Sequence, residues 1–156
     1  MWSPRRQLMR IPVPWVFVLT YLAGVGLEYL VPLRVGSMAP PGVFVAGALV
    51  FCIGAVIAGW SWVIFNKADT TRVPGQPSTT LVTWDPYRRS RNPLYVGLAL
   101  AYLGEAGMLR QVWPLLFLSL TLAYLNWMVI PIEEGRLLEV FHGAYAKYRG
   151  SVRRWI

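Results

Sequence analysis

The sequence predicts an all-α fold: a polytopic membrane helical bundle of about four transmembrane helices with a C-terminal amphipathic cytoplasmic helix. Three observations predict it. Apolar residues make up 56% of the 156 and charged residues only 14%, whereas about a quarter of a soluble domain is charged. Four apolar stretches reach or approach the roughly 20 residues that cross a hydrocarbon core about 30 Å thick. Finally, thirteen of the fifteen Lys and Arg fall in segments on one side of those stretches. Eight Trp and eight Tyr add amphipathic rings, which favour the membrane interface. The chain reads as one domain, 1–156.

The first span covers 13–33, after Arg5, Arg6 and Arg10. Arginines before an apolar run also open a signal peptide, but this run is longer than a signal core and lacks an A-x-A cleavage pattern. With more spans following, it reads as a retained first helix. The second span covers 43–65. Gly42, Ala46, Gly47, Gly54 and Ala58 dot it, and small residues let membrane helices approach closely. Next comes the one long loop, 66–92, NKADTTRVPGQPSTTLVTWDPYRRSRN; loops of that length are functional or disordered. The third span, 93–109, is short and reads as one arm of a hairpin that turns at Arg110–Gln111 into the fourth, 112–132. Leu137, Leu138, Phe141, Tyr145 and Tyr148 then recur at spacings of three and four, one apolar stripe on a helix over 133–149. That helix either lies on the membrane surface or acts as a lid against the 66–92 loop.

Charge sets the topology. Arg5, Arg6 and Arg10 precede span one; Lys67, Arg72, Arg88, Arg89 and Arg91 lie between spans two and three; Arg136, Lys147, Arg149, Arg153 and Arg154 follow span four. Only Arg34 and Arg110 occupy the other two turns. This positive-inside pattern places both termini in the cytoplasm, with the protein in the cell inner membrane. It accounts for the net charge of +8 and leaves no need for a nucleic-acid partner. One Cys and one His exclude an internal disulfide and a zinc cluster of the usual kind. Nothing in the pattern sets an oligomeric state.

Polar residues inside spans are expensive. Glu28 and Glu105 fall toward the outer ends of their helices and read as interfacial or structural. Asn126 lies about 9 Å inside the cytoplasmic end of span four, where it can line a pocket or bond a neighbouring helix. Glu133 and Glu134 follow Pro131. Two acids at a helix start suit the positive end of its dipole, at ~0.3–1 kcal/mol each. The other reading comes from their company. An Arg-Asn-Pro-x-Tyr segment, 91–95, ends the loop at an adjacent span, and together the two can hold a polar ligand bearing both charges.

TLVTWDPYRRSRNPLYVG (80–97), an apolar hairpin, and EEGRLLEVFHGAYAKYRGSV (133–152) together resemble the isoprenylcysteine carboxyl methyltransferase and phospholipid methyltransferase group. Its members are integral membrane enzymes that use S-adenosylmethionine. The group's pattern is R-H-P-x-Y-x-G, a helical hairpin, then E-E-x-x-L with F-G-x-x-Y-x-x-Y downstream. The resemblance runs from about Thr79 to Arg154. It implies a cofactor region over 79–97 and 133–154, with contacts from Thr80, Leu81, Val82 and Tyr87. It implies further contacts from Asn92, Pro93, Leu94, Tyr95, Gly97, Glu133 and Glu134. Residue chemistry is compatible: Gly97 permits close backbone approach, Pro93 suits a first helical turn, and carboxylates accept bonds from ribose hydroxyls or an amino group.

Three positions depart from the pattern. Asn92 stands where the group has His, and Asn cannot take a proton near neutral pH. Val129 stands where the eukaryotic prenylcysteine enzymes carry an Arg, which counts against a carboxyl substrate. His142 replaces the Gly of the Phe-Gly pair. The expectation is an S-adenosylmethionine-dependent transfer of a methyl group to a membrane lipid or another apolar acceptor, with Arg91, Tyr95 and Asn126 aligning the reactants. Methyl transfer of this kind needs alignment and desolvation rather than a metal. The alternative is a non-catalytic membrane scaffold that retains the fold.

Overall fold

The computed structural model describes residues 12–33, 41–68 and 80–156. Arg5, Arg6, Arg10, Arg34, Arg72 and the middle of the long loop, 69–79, lie outside them. Every regular element among the described residues is helical: α1, Val13–Leu30; α2, Pro41–Lys67; α3, Pro93–Leu109; α4, Val112–Tyr124; and α5, Ile130–Ser151. A π-helical turn, Leu125–Val129, joins α4 to α5 without a break. Three helices are long and apolar enough to cross a membrane, namely α1, α2 and the continuous Val112–Ser151 rod; α3 is a shorter apolar helix of 17 residues.

Two expectations are corrected. The helix expected over 133–149 does not start as a separate surface element, because it continues the fourth span. Pro131 cannot donate the intrahelical bond expected of its position, and the π-turn immediately before it absorbs that loss in one wide turn. Nor is that helix uniform. At His142 the backbone takes φ 46°, ψ −121°, a region that side chains other than Gly occupy only under strain. The stripe divides there: Leu138 is exposed, whereas Tyr145 and Tyr148 beyond the bend are buried. The group pattern carries Gly at this position, and the conformation gives the reason.

α3 packs most extensively against α2, along small residues. A Cβ placed on Gly97 would meet the backbone nitrogen of Ala58, with Ala58 Cα and Gly54 O both at 2.8 Å. One on Gly104 would meet Phe51 N, and one on Gly54 would meet Ala101 N. In hydrocarbon such contact is the main source of helix association, since lipid removes the hydrophobic drive.

On the other side α1 packs against α4, with Gly24 against the backbone of Pro114. Thr121 Oγ1 donates to Thr20 Oγ1 at 3.0 Å. Glu28 proves structural: its carboxylate accepts the N–H groups of Leu33 at 3.0 Å, Val112 at 3.1 Å and Trp113 at 3.2 Å. It thus caps the free N-terminus of α4 from another helix. The α3–α4 hairpin turns at Arg110, in the left-handed conformation (φ 55°, ψ 40°). Phe17, Tyr95, Tyr102, Leu118, Leu125, Val129 and Ile130 form the core between these helices. Trp15, Leu19 and Leu22 of α1 and Phe44, Leu49, Ile53 and Val56 of α2 are exposed, and a bilayer would cover them.

Candidate functional site

At the basic end of the bundle, four pieces of chain meet: the turn 84–92, the start of α3, the start of α5 and the terminal segment 152–156. Tyr87 N–H donates to Trp84 O at 2.8 Å and Arg89 N–H to Pro86 O at 3.1 Å. This turn delivers Arg91 and Asn92 to the α3 N-terminus, where Pro93 occupies the first turn and needs no N–H partner. Tyr95, one turn of chain on, is buried and faces α5.

The two neighbouring acids have different surroundings. Glu133 Oε1 accepts a 2.7 Å hydrogen bond from the Tyr95 hydroxyl. It lies just past the apolar run that ends at Ile132. Burial pushes its carboxyl up to about 7, against the opposing hydrogen bond from Tyr95 and the charge of Arg136; the charge of Glu134 adds to the rise. Glu134 is instead surrounded by cations. Arg154 binds it with both ends of the fork, Nε to Oε1 at 3.2 Å and Nη2 to Oε2 at 3.0 Å. Arg91 Nη2 approaches Oε1 at 3.3 Å and Arg149 Nε approaches Oε2 at 4.0 Å. Bidentate geometry and several cations make this buried carboxylate the hub of the cluster.

Arg91 is less well satisfied than Glu134. Its Nε and Nη1 are buried and have no partner in hydrogen-bonding geometry among the described residues. Buried donors left unpaired cost free energy, so this guanidinium edge is suited to an oxyanion. Tyr145 is fully buried nearby; burial raises its phenol, as does Glu134, against the charges of Arg91 and Arg149 and the close approach of the Arg91 side chain to its hydroxyl. Tyr148 also stays neutral, with burial the main cause, and donates a 2.6 Å bond to Tyr87 O. The outer half of α5 therefore does reach the loop, at its described end.

The terminal segment ties these parts together. Arg91 N–H donates to Arg153 O at 2.9 Å. Arg154 O accepts from Asn92 Nδ2 at 3.0 Å and Ser90 Oγ at 3.3 Å. Asn126, on the π-turn, accepts from Arg154 Nη1 and Trp155 Nε1 at its Oδ1, both at 3.2 Å.

The structure thus brings together Tyr87, Arg91, Asn92, Pro93, Tyr95, Asn126, Glu133 and Glu134. Leu94 packs half-buried against the core. Gly97 turns its missing side chain toward α2, where helix packing accounts for it. Thr80 is exposed, Leu81 half-buried and Val82 buried. Val129 is buried in the core. Ser90, Arg154 and Trp155 were missed by sequence reasoning. In the sequence Arg154 is one of a pair of terminal arginines indistinguishable from topological charge, and the only signal was its place after the Tyr-x-x-Tyr stretch.

A family model described as phospholipid methyltransferase matches residues 43–144. No curated protein and no solved structure matches the chain. The matched region covers well over half of the sequence, from α2 through the first part of α5, and it includes both acids and the Arg-Asn-Pro-x-Tyr segment. The chain belongs to the phospholipid methyltransferase family.

Proposed function

We propose that this membrane protein is an S-adenosylmethionine-dependent methyltransferase whose acceptor is a lipid-like or small apolar molecule. The site would lie at the cytoplasmic face of the cell inner membrane. The observation that carries the reading is the joint presence of a buried, unfilled guanidinium edge on Arg91 and the Tyr95–Glu133 pair. One suits a carboxylate, the other an amino group or ribose hydroxyls, and an amino-acid nucleoside bears all three. The residues present therefore fit the cofactor that the family usually uses.

When bound, that cofactor supplies a methyl group on a sulfonium sulfur. The chain's own part is to bind, orient and exclude water. Arg91 and Glu133 would hold the polar ends, and Tyr95 would fix the Glu133 carboxyl through its hydroxyl. The phenol faces of the buried Tyr145 and Tyr148 would keep the site dry. The acceptor would arrive from the bilayer, a route supported by Trp127 and Met128, which stand exposed on the π-turn beside Asn126. Asn92 spends its amide on Arg154 O, so it would serve binding geometry and not proton transfer.

One observation favours the scaffold reading: Asn92, Asn126 and Glu134 are all satisfied from within the chain. The test is methyl-labelled S-adenosylmethionine given to membranes with and without the protein. Label in an extracted lipid or apolar product only when the protein is present supports the enzyme. A folded protein that binds S-adenosylhomocysteine yet transfers no label to any extract supports the scaffold.

A further inference from the structure

We infer that Arg154 is a positioning residue of the ligand site, and that the terminal strap 152–156 is part of that site. The inference rests on the cofactor-binding reading above. It concerns a residue ten positions beyond the last one matched by the family model.

Arg154 acts on three of the side chains that the sequence puts forward as ligand contacts. Its fork holds both oxygens of Glu134, at 3.2 and 3.0 Å. Its Nη1 holds Asn126 Oδ1 at 3.2 Å and reaches Asn126 O at 3.4 Å. Its carbonyl takes the Asn92 amide at 3.0 Å. The other cations near Glu134 do less: Arg149 stands 4.0 Å away and is half exposed, and Arg91 makes one contact. Planar, bidentate recognition combined with a third bond from the same guanidinium is a geometry only Arg supplies.

Two consequences follow. Because Glu134 is neutralised by Arg154, Arg91 is not consumed by that carboxylate and keeps Nε and Nη1 unpaired. Because Asn92 is tied to the strap, the start of α3, and with it Tyr95, is held against Glu133. Arg154 thus sets the two groups proposed to meet the ligand without touching it. Supporting groups of this kind set the precision of a site.

The test is titration of the full-length protein in detergent or nanodiscs with S-adenosylhomocysteine, with Tm measured on each sample. Arg154→Ala should weaken affinity by about tenfold or more, the range of coupling between directly bonded residues. Millimolar guanidinium should restore part of that loss, which a merely structural defect would not allow. Arg154→Lys should recover little, and Lys147→Ala, a charge loss on the exposed face of α5, should bind as wild type. Should Arg154→Ala fail to fold because Glu134 is left unpaired, the neutral pair Glu134→Gln/Arg154→Met keeps the test open. That double variant should bind several-fold more weakly than Glu134→Gln alone, and equal affinity overturns the inference. Wild-type affinity in folded Arg154→Ala also overturns it while leaving the cofactor reading intact. Failure of the wild type to bind overturns both.

Discussion

Gly97 separates two explanations of one residue, a close approach to a cofactor or a close approach of two helices. An alanine there adds a single Cβ, which would lie 2.8 Å from both Ala58 Cα and Gly54 O and nearer still to Ala58 N. All three are backbone atoms, so no side chain can swing away. Ordinary carbon contacts begin near 3.5 Å, so α2 and α3 must part by something on the order of 1 Å. A gap of 0.5–1 Å forfeits about a quarter to a half of the dispersion well of each contact it opens, and overpacking of this kind costs roughly 1–3 kcal/mol. Thermal unfolding in detergent of Gly97→Ala against Gly107→Ala provides the assay, because a Cβ on Gly107 meets nothing within 4 Å. Gly97→Ala should melt several degrees below wild type and Gly107→Ala at or above it, since Ala favours helix by about 1 kcal/mol over Gly. Equal melting of the two would refute the packing argument. Wild-type melting with ligand binding lost would return Gly97 to the cofactor.

His142→Gly should raise the melting temperature, because φ 46°, ψ −121° costs a side-chain-bearing residue about 1–3 kcal/mol; an unchanged or lower melting point would show that the bend holds no strain. Glu134→Ala should destabilise by about 3–5 kcal/mol, the cost of leaving buried cations uncompensated, whereas Glu133→Gln keeps the Tyr95 bond and should melt near wild type; chemical unfolding of both variants checks the contrast. Folding should also favour acid conditions as far as Glu133 alone is concerned. Its folded carboxyl holds a proton up to about 7 against an ordinary value of 4.5, so its contribution is greatest below 4.5 and is lost as pH rises toward 7.

The legible parts of this fold are those fixed by short-range chemistry. α3 begins at Pro93 and ends before Arg110–Gln111 as expected, because a proline start and a polar turn bracket an apolar run. The π-turn was not legible: Pro131 can begin a helix or distort one, and the choice depends on what packs around Leu125 and Val129. Glu28 read as interfacial or structural, but its cap on Val112 and Trp113 spans more than eighty residues. In the site, the acids and the Arg-Asn-Pro-x-Tyr segment stood out by residue type and order. Their division of labour did not. That Glu134 is the hub held by Arg154 and Glu133 the half-buried acid bonded by Tyr95 depends on partners that no local pattern connects to them.

The central claim, a ligand site built on Glu133, is tested most directly by S-adenosylhomocysteine titration of purified wild type at pH 8 and pH 6. If the ionised carboxyl is the binding form, a group near pH 7 is about 90% competent at pH 8 and about 10% at pH 6, so affinity should fall by about tenfold. The contribution of Glu133 to folding changes in the opposite direction over that range, so unfolding of this origin does not explain the loss. Glu133→Gln should bind weakly at both pH values. A folded wild type that binds equally at the two pH values, or fails to bind at high micromolar ligand, would contradict the account.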